Sequence, residues 1–249
     1  MSGGSSGGHR RVAVVTGAGR GIGRASAVEL ARRGHDLVLA ARSTDQLAEV
    51  AVAVEEIGGE ALVVETDVTS DDECMALMDA AADRFSRLDV LVCNAGGGVA
   101  DLSLMDTTPE DWRSVIDLNV HSVYYSVRHA VPYMREVGGG KIMVVGSGTG
   151  HVPISGVAAY AVAKAGAAHI VRVLAQELAA DGIDINEVVP GPVLTDLTRA
   201  NFTVGEPPPL SAVERVKEPK EVAALVGWLA GMPSRGPTGQ VFSLARRQL

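Results

Sequence analysis

The 249-residue sequence predicts a doubly wound α/β fold: a single domain with a parallel sheet of about seven strands and helices on both faces. Three observations carry this. Short apolar runs alternate with longer helix-like stretches from residue 11 onward. Most of the runs are continuously apolar rather than alternating, as strands covered on both faces must be. A cluster of glycines falls between the first run and the first helical stretch, where such a sheet places a phosphate-binding turn.

Taken in order, "RVAVVT" (11–16) is the first strand, and the glycine turn leads into a helix over 21–33. "DLVLAA" (36–41) and "EALVVET" (60–66) follow as strands, with helices over 44–57 and 70–85. "LDVLVCN" (88–94) precedes a long helical stretch, 108–136, whose "TTPED" (107–111) puts proline near the first turn and acids after it. "KIMVVGS" (141–147) leads to a helix over 154–180, and "IDINEVV" (183–189) leads to the one long irregular segment, 196–217, containing "GEPPPL". Long loops at strand ends serve as binding loops or lids. "EPKEV" (218–222) starts a helix over 218–231, and "QVFSL" (240–244) is the last strand. "MSGGSSGGHR" reads as a flexible arm or tag remnant (1–10), leaving 11–249 as the domain.

Composition bounds the function. The chain holds 22 Lys+Arg against 30 Asp+Glu, a net charge of −8 with no long block of one sign, which argues against a general nucleic-acid or anionic-membrane surface. No apolar run reaches the length of a membrane span and no signal-peptide core follows the N-terminus, so a soluble cytoplasmic protein is expected. Cys74 and Cys93 are too few and too far apart for a disulfide framework or a metal site; Cys93 ends an apolar run and is expected as a buried thiol.

The glycine turn, "TGAGRGIG" (16–23), spaces Gly17, Gly21 and Gly23 as G-x-x-x-G-x-G, with a further glycine at Gly19. This departs from the stricter G-x-G-x-x-G pattern, but the physics is shared. Glycines let the chain turn sharply and let a phosphate approach the backbone, and the helix that follows presents unpaired N–H groups to it. The end of the second strand selects the nucleotide. An NAD site has an acid there; this chain reads Ala41, Arg42, Ser43, with a second cation, Arg20, inside the turn. Two guanidinium groups near the adenosine ribose suit a 2′-phosphate and hence NADP(H). The plainer alternative is a pair of solvated surface arginines.

Within "SGVAAYAVAKAGAAHIV" (155–171), Tyr160 and Lys164 lie four apart and so share a helix face. A free phenol is a poor base at neutral pH, and a neighbouring ammonium stabilises the phenolate, making Tyr160 a usable acid or base. Ser147, at the end of the fifth strand, stands at the sheet edge where ligands bind and could hydrogen-bond the same substrate oxygen. Taken singly, such a pair is more often a surface contact and such a serine a cap; the glycine turn at the same end of the sheet reverses those odds.

These residues together make the sequence resemble the short-chain dehydrogenase/reductase family, whose fold is of the Rossmann type. "TGAGRGIG", including Ile22, is similar to its cofactor turn, and "NAG" (94–96) to its fourth-strand motif. Asn119 in "DLNVHS", Ser147, and Tyr160-x-x-x-Lys164 match its catalytic tetrad in order and spacing, and "PGPVLTD" (190–196) matches its nicotinamide segment. The resemblance runs from about residue 11 to 244 and looks nearest the β-ketoacyl carrier-protein-reductase-like branch.

The resemblance implies that Tyr160 protonates a carbonyl oxygen while hydride arrives from the nicotinamide. Lys164 would assist the tyrosine and hold the nicotinamide ribose, Ser147 would orient the carbonyl, and Asn119 would hold a water linking Lys164 to solvent. Asp67 and Val68 would meet the adenine; Asn94, Ala95 and Gly96 the ribose; Pro190, Gly191, Val193 and Thr195 the nicotinamide amide. Plainer roles exist for several of these: Asp67 as a helix cap, Asn119 at a helix kink, Pro190-Gly191 as a turn. Two departures stand out. Cys93 replaces the usual asparagine before "NAG", and the chain ends "TGQVFSLARRQL" instead of carrying an Asp-Gly-Gly stretch, which bears on the usual tetramer contacts.

The expected activity is NADPH-dependent reduction of a ketone or β-ketoacyl group, or the reverse oxidation, by a homotetramer or dimer. The substrate is a small molecule, free or bound to a carrier protein or CoA, and Arg128, Arg135 and Arg172 are the helix cations a carrier protein could use. Two other classes compete: an isomerase or dehydratase on the same scaffold, and a non-catalytic NADP(H)-binding regulatory protein. His151, on the loop after Ser147, is expected to be solvated or hydrogen-bonded locally; Phe202 and Pro207–Pro209 belong to the expected lid.

Overall fold

The apolar runs form β1 (Arg11–Thr16), β2 (His35–Ala41), β3 (Ala61–Glu65), β4 (Val90–Cys93), β5 (Gly140–Val145), β6 (Ile183–Val189) and β7 (Val241–Ser243) in the computed structural model. It describes residues 10–98, 103–199, 202–208, 213–246 and 248–249. The strands pair in parallel throughout, in the order β3-β2-β1-β4-β5-β6-β7. The order reverses between β1 and β4, and the crevice of such a sheet opens there, beyond the carboxyl ends of the strands.

The continuous apolar character has a direct cause. Successive residues point to opposite faces, and both faces are covered. Val12 and Val14 of β1 pack in one buried cluster with Leu77 and Met78 of α3 (Asp71–Phe85), Val127 and Met134 of α5 (Ser122–Glu136), and Val171 and Leu178 of α6 (Ala158–Leu178). Ala13 and Val15 pack in the other with Leu30 of α1 (Gly21–Arg32), Leu47 and Val50 of α2 (Thr44–Glu55), and Val226 and Leu229 of α7 (Pro219–Ala230). Each fully buried large side chain of this kind stabilises by about 1.5–3 kcal/mol.

The helix starts follow the capping chemistry. Ser70 accepts from the Glu73 N–H at the head of α3. Thr108 accepts from Asp111 at the head of α4 (Pro109–Ile116), with Pro109 in its first turn, and Glu218 and Glu221 form a reciprocal capping box on α7. Two helical expectations are revised. The stretch 108–136 is not one α-helix: α4 passes through a π-helical turn, Asp117–His121, into α5. The helix expected from 154 begins at Ala158, because Gly156 sits at φ +87, outside helical geometry, so Tyr160 lies in the first turn of α6.

β6 is buried along its length yet carries three polar residues, each with a partner. Asp184 pairs with buried Lys141 of β5, Asn186 donates to the Pro237 carbonyl at 2.7 Å, and Glu187 binds His151. Both cysteines are buried, and burial pushes the Cys74 thiol up to about 11. Contrary to the expectation that no stretch reaches the length of a membrane span, Ala158–Asp181 is long and apolar enough by length and composition to cross a membrane; here Val171, Ala175 and Leu178 of that stretch cover the sheet. Residues 1–9 of the expected arm lie outside the described residues. Arg10 does not: it pairs with Asp36 at 2.9 Å and donates to the His35 carbonyl.

Candidate active site

The glycine turn is built by residues from two strands. The Thr16 hydroxyl accepts from the N–H groups of Asn94 and Ala95 at 3.0 and 3.1 Å, and the Asn94 amide donates to the carbonyls of Thr16 and Gly17. The end of β4 is thus sewn to the end of β1. A Cβ on residue 23 would lie 2.1 Å from the Gly17 oxygen and 2.5 Å from the Asn94 amide nitrogen, so only glycine fits. Gly17 and Gly21 both take positive φ. Arg20, the N-cap of α1, makes no side-chain capping bond, which leaves the first-turn N–H groups for an anion. Ile22 is partly buried, packed against the α1/α2/α7 core. Gly19 approaches Gln46 of α2.

Around this turn stand the cations. Arg42 is exposed at the end of β2, beside Ser43, the N-cap of α2. Arg20 is 61% exposed and lies 4.0 Å from Asp196. Asp67 caps no helix; that is Ser70's role. Its carboxylate accepts from the Thr69 N–H and hydroxyl, and the Thr69 backbone bond, foremost, holds it below the ordinary carboxylate range. Val68 beside it is buried, its carbonyl accepting from the Cys74 thiol.

The four tetrad positions converge at the same end of the sheet. Lys164 is only 6% exposed; its ammonium donates to the Val145 carbonyl at 3.0 Å and lies 5.6 Å from the centre of the Tyr160 ring. A Cβ on Gly96 would lie 3.0 Å from Asn119 Oδ1 and 3.2 Å from Lys164 Nζ, so the backbone after β4 is pressed against both. Asn119, on the π-helical turn and buried, donates to the Gly97 and Val115 carbonyls and accepts from the Gly97 N–H at 3.2 Å. It serves at the helix irregularity and clamps the loop after β4. Ser147, two residues beyond β5, caps a 3₁₀ turn, Gly148–Gly150, through its bonds to Thr149.

The segment after β6 closes the other side. Gly191 takes φ +66 after buried Pro190, and Val193 bridges to Lys217. Thr195 is pinned by Thr198, and its methyl would lie 3.3 Å from a Cβ on Gly21, so this segment rests on the glycine turn. Phe202 is partly buried, Pro207 is exposed and Pro208 buried; Pro209 lies outside the described residues.

Two further side chains bond to the backbone or side chains of the site's turns, Thr16 and Glu187. Thr16 stood inside the quoted motif, and its hydroxyl was the signal. Glu187 was signalled as an acid within an apolar strand, and it pairs with His151, whose ring is bound to this buried carboxylate of the neighbouring strand, 36 residues on in sequence. Among the described residues no cluster of three His, Cys, Asp or Glu side chains is arranged to hold a metal ion.

Such a fold, with a glycine cradle at the strand-order reversal and a phenol–ammonium pair beside it, defines a nucleotide-dependent oxidoreductase class. A profile described as short chain dehydrogenase matches residues 11–204, and the chain belongs to the short-chain dehydrogenase/reductase family. It is 37% identical over 236 residues to a 3-oxoacyl-[acyl-carrier-protein] reductase of Synechocystis, covering 94% of this chain and 95% of that one. It is 38% identical over 243 residues to cis-4-hydroxycyclohexanecarboxylate dehydrogenase of Sinomonas cyclohexanicum, covering 94% of each. Among solved structures, 7α-hydroxysteroid dehydrogenase complexed with NADH and 7-oxo glycochenodeoxycholic acid superposes with TM-score 0.85 at 29% identity, covering 94% of this chain and 92% of that one. The chain is an oxidoreductase of this family, acting on carbonyl or alcohol groups.

Proposed function

We propose that this protein is an NADP(H)-dependent ketoreductase, active in the cytoplasm as a homo-oligomer, that interconverts a ketone or β-ketoacyl group and its secondary alcohol. The observation that carries this reading is the buried Lys164 ammonium beneath the Tyr160 ring, beside the loop that Asn119 clamps.

The residues fit a dinucleotide: a cradle only glycine can line, a helix N-terminus with no side-chain cap, and two exposed cations at the end of β2 and in the turn. Gly17–Gly23 would hold the pyrophosphate, Arg20 and Arg42 the 2′-phosphate, Asp67 and Val68 the adenine, Asn94–Gly96 the ribose, and Pro190–Thr195 the carboxamide. When bound, the nicotinamide supplies or accepts the hydride at the carbonyl carbon.

In the direction of reduction, the Ser147 hydroxyl donates to the substrate carbonyl oxygen and orients it. Tyr160 gives its phenolic proton to that oxygen as the C=O bond becomes C–O–H. The Lys164 ammonium stabilises the phenolate left behind, more strongly for being buried. Asn119 keeps the 96–97 backbone against Lys164, fixing the ammonium from that side. A carrier-protein-bound substrate has weaker support: Arg135 is already held by Asp181 at 2.7 Å and Arg128 lies over the Tyr124 ring. A small cyclic or acyclic ketone is favoured.

The test is a turnover panel of cyclohexanone, ethyl acetoacetate and acetoacetyl-CoA, each with NADPH and with NADH. Turnover is expected with NADPH in preference to NADH, and Tyr160→Phe lowers kcat by about 10²–10⁴-fold while NADPH still binds by fluorescence titration. A preference for NADH overturns the cofactor assignment. Full activity of Tyr160→Phe overturns the chemistry.

A further inference from the structure

The turn that carries Ser147 is held from beneath by a pair of side chains outside the tetrad. Glu187, on β6, is 1% exposed, and both of its oxygens lie within reach of His151 Nε2, at 2.9 and 3.1 Å; the His151 ring is itself only 12% exposed. The carboxylate is pressed against the start of the turn as well. A Cβ on Gly146 would fall 1.9 Å from Glu187 Oε1. At the other end, a Cβ on Gly150 would fall 2.8 Å from the Lys164 carbonyl carbon, so the turn is wedged between β6 and the backbone of α6 at Lys164 itself. Ser147 stands between these two close approaches.

We propose that Glu187 and His151 are positioning residues for the reaction: a buried crossbar that fixes the Gly146–His151 turn and thereby places the Ser147 hydroxyl. This rests on the reading of Ser147, Tyr160 and Lys164 as the reacting site. The titratable and charged groups facing Glu187 are His151 from the turn and Lys164 and Arg172 from α6. Burial, foremost, raises Glu187 above the ordinary carboxylate range, and the hydrogen bond from His151 and the charges of Lys164 and Arg172 oppose the rise. The sign for stability follows from this. A raised native-state value means the folded chain holds the proton more tightly than the unfolded chain. The contribution of Glu187 is therefore full below the ordinary glutamate range and is lost as pH rises through the raised value.

The experiment compares wild type with Glu187→Ala, Glu187→Gln, His151→Ala, His151→Asn, the Glu187→Ala/His151→Ala double variant and Tyr160→Phe, using NADPH and the panel ketones. Amide hydrogen exchange over 146–152 is the readout that needs no turnover. Glu187→Ala is expected to raise exchange in that segment and lower kcat by about 10- to 100-fold with NADPH binding unchanged. Glu187→Gln, which keeps an acceptor in place, recovers most of that loss but alters the acid limb of the kcat–pH profile and flattens the fall of Tm with rising pH. The double variant loses less than the sum of its single losses. Where Glu187→Ala fails to fold, Glu187→Gln and His151→Asn report on the same contact. Wild-type exchange over 146–152 together with wild-type pH dependence in Glu187→Gln and His151→Asn overturns the crossbar. If Tyr160→Phe retains turnover, the site assignment fails instead, and exchange alone decides the crossbar.

Discussion

Arg42 shows how much a single residue can decide. Its guanidinium is exposed at the end of β2, where a carboxylate would repel a phosphate, and Asp67, an acid whose carboxylate feels the Arg42 charge, accepts from Thr69. Charge-assisted bonds of this kind are worth about 1.5–3 kcal/mol. Arg42→Ala should therefore weaken NADPH by about 10- to 100-fold and leave NADH nearly unchanged, as fluorescence titration of both nucleotides at fixed ionic strength would show. At this scale the glycines were legible because their place admits no substitute: a Cβ at 23 has nowhere to go. The partnership of His151 with Glu187 was not. It joins residues 36 apart whose meeting depends on how β6 lies beside the turn after β5.

Among the elements, the strands were legible to within about two residues at each end, since burial of the central strands on both faces leaves an unbroken apolar run. The helix irregularities were not. A π-helical turn inserts its extra residue without any proline or glycine at Asp117–His121 to announce it, and α6 starts late because of one glycine conformation at 156. β6 is the strand that combines burial with charge. Lys141 of β5, 5% exposed, and Asp184, 4% exposed, neutralise one another within the sheet. Lys141→Met leaves the Asp184 carboxylate buried without its cation and should cost about 3–5 kcal/mol in urea unfolding, with most of that recovered in the Lys141→Met/Asp184→Leu double variant.

For the molecule as a whole, the parallel seven-stranded architecture and its family were legible from the rhythm of elements and the joint motif. The proposed assembly would rest on surfaces that sequence describes only by composition. Tyr124 on α5 and Val162 and Val173 on α6 are exposed on neighbouring helices, and Trp228 on α7, 47% exposed, stacks edgewise on Phe242 of β7. Two separate apolar surfaces suit two kinds of self-contact, as a dimer of dimers requires. Sedimentation of the wild type should give a tetramer, and Val162→Glu with Val173→Glu should reduce it to dimers or monomers; a monomeric wild type would refute the assembly.

The stitching of β1 to β4 has a consequence in time. The glycine turn is closed by Asn94, which lies 78 residues beyond the Thr16 carbonyl it holds. Contacts so distant in sequence form late, after the loop-closure entropy between them has been overcome. During synthesis the first strand, turn and helix emerge without the side chain that shapes the cradle. Nucleotide affinity therefore arrives only when the fourth strand docks, and a cofactor that then binds rewards completed chains over partial ones.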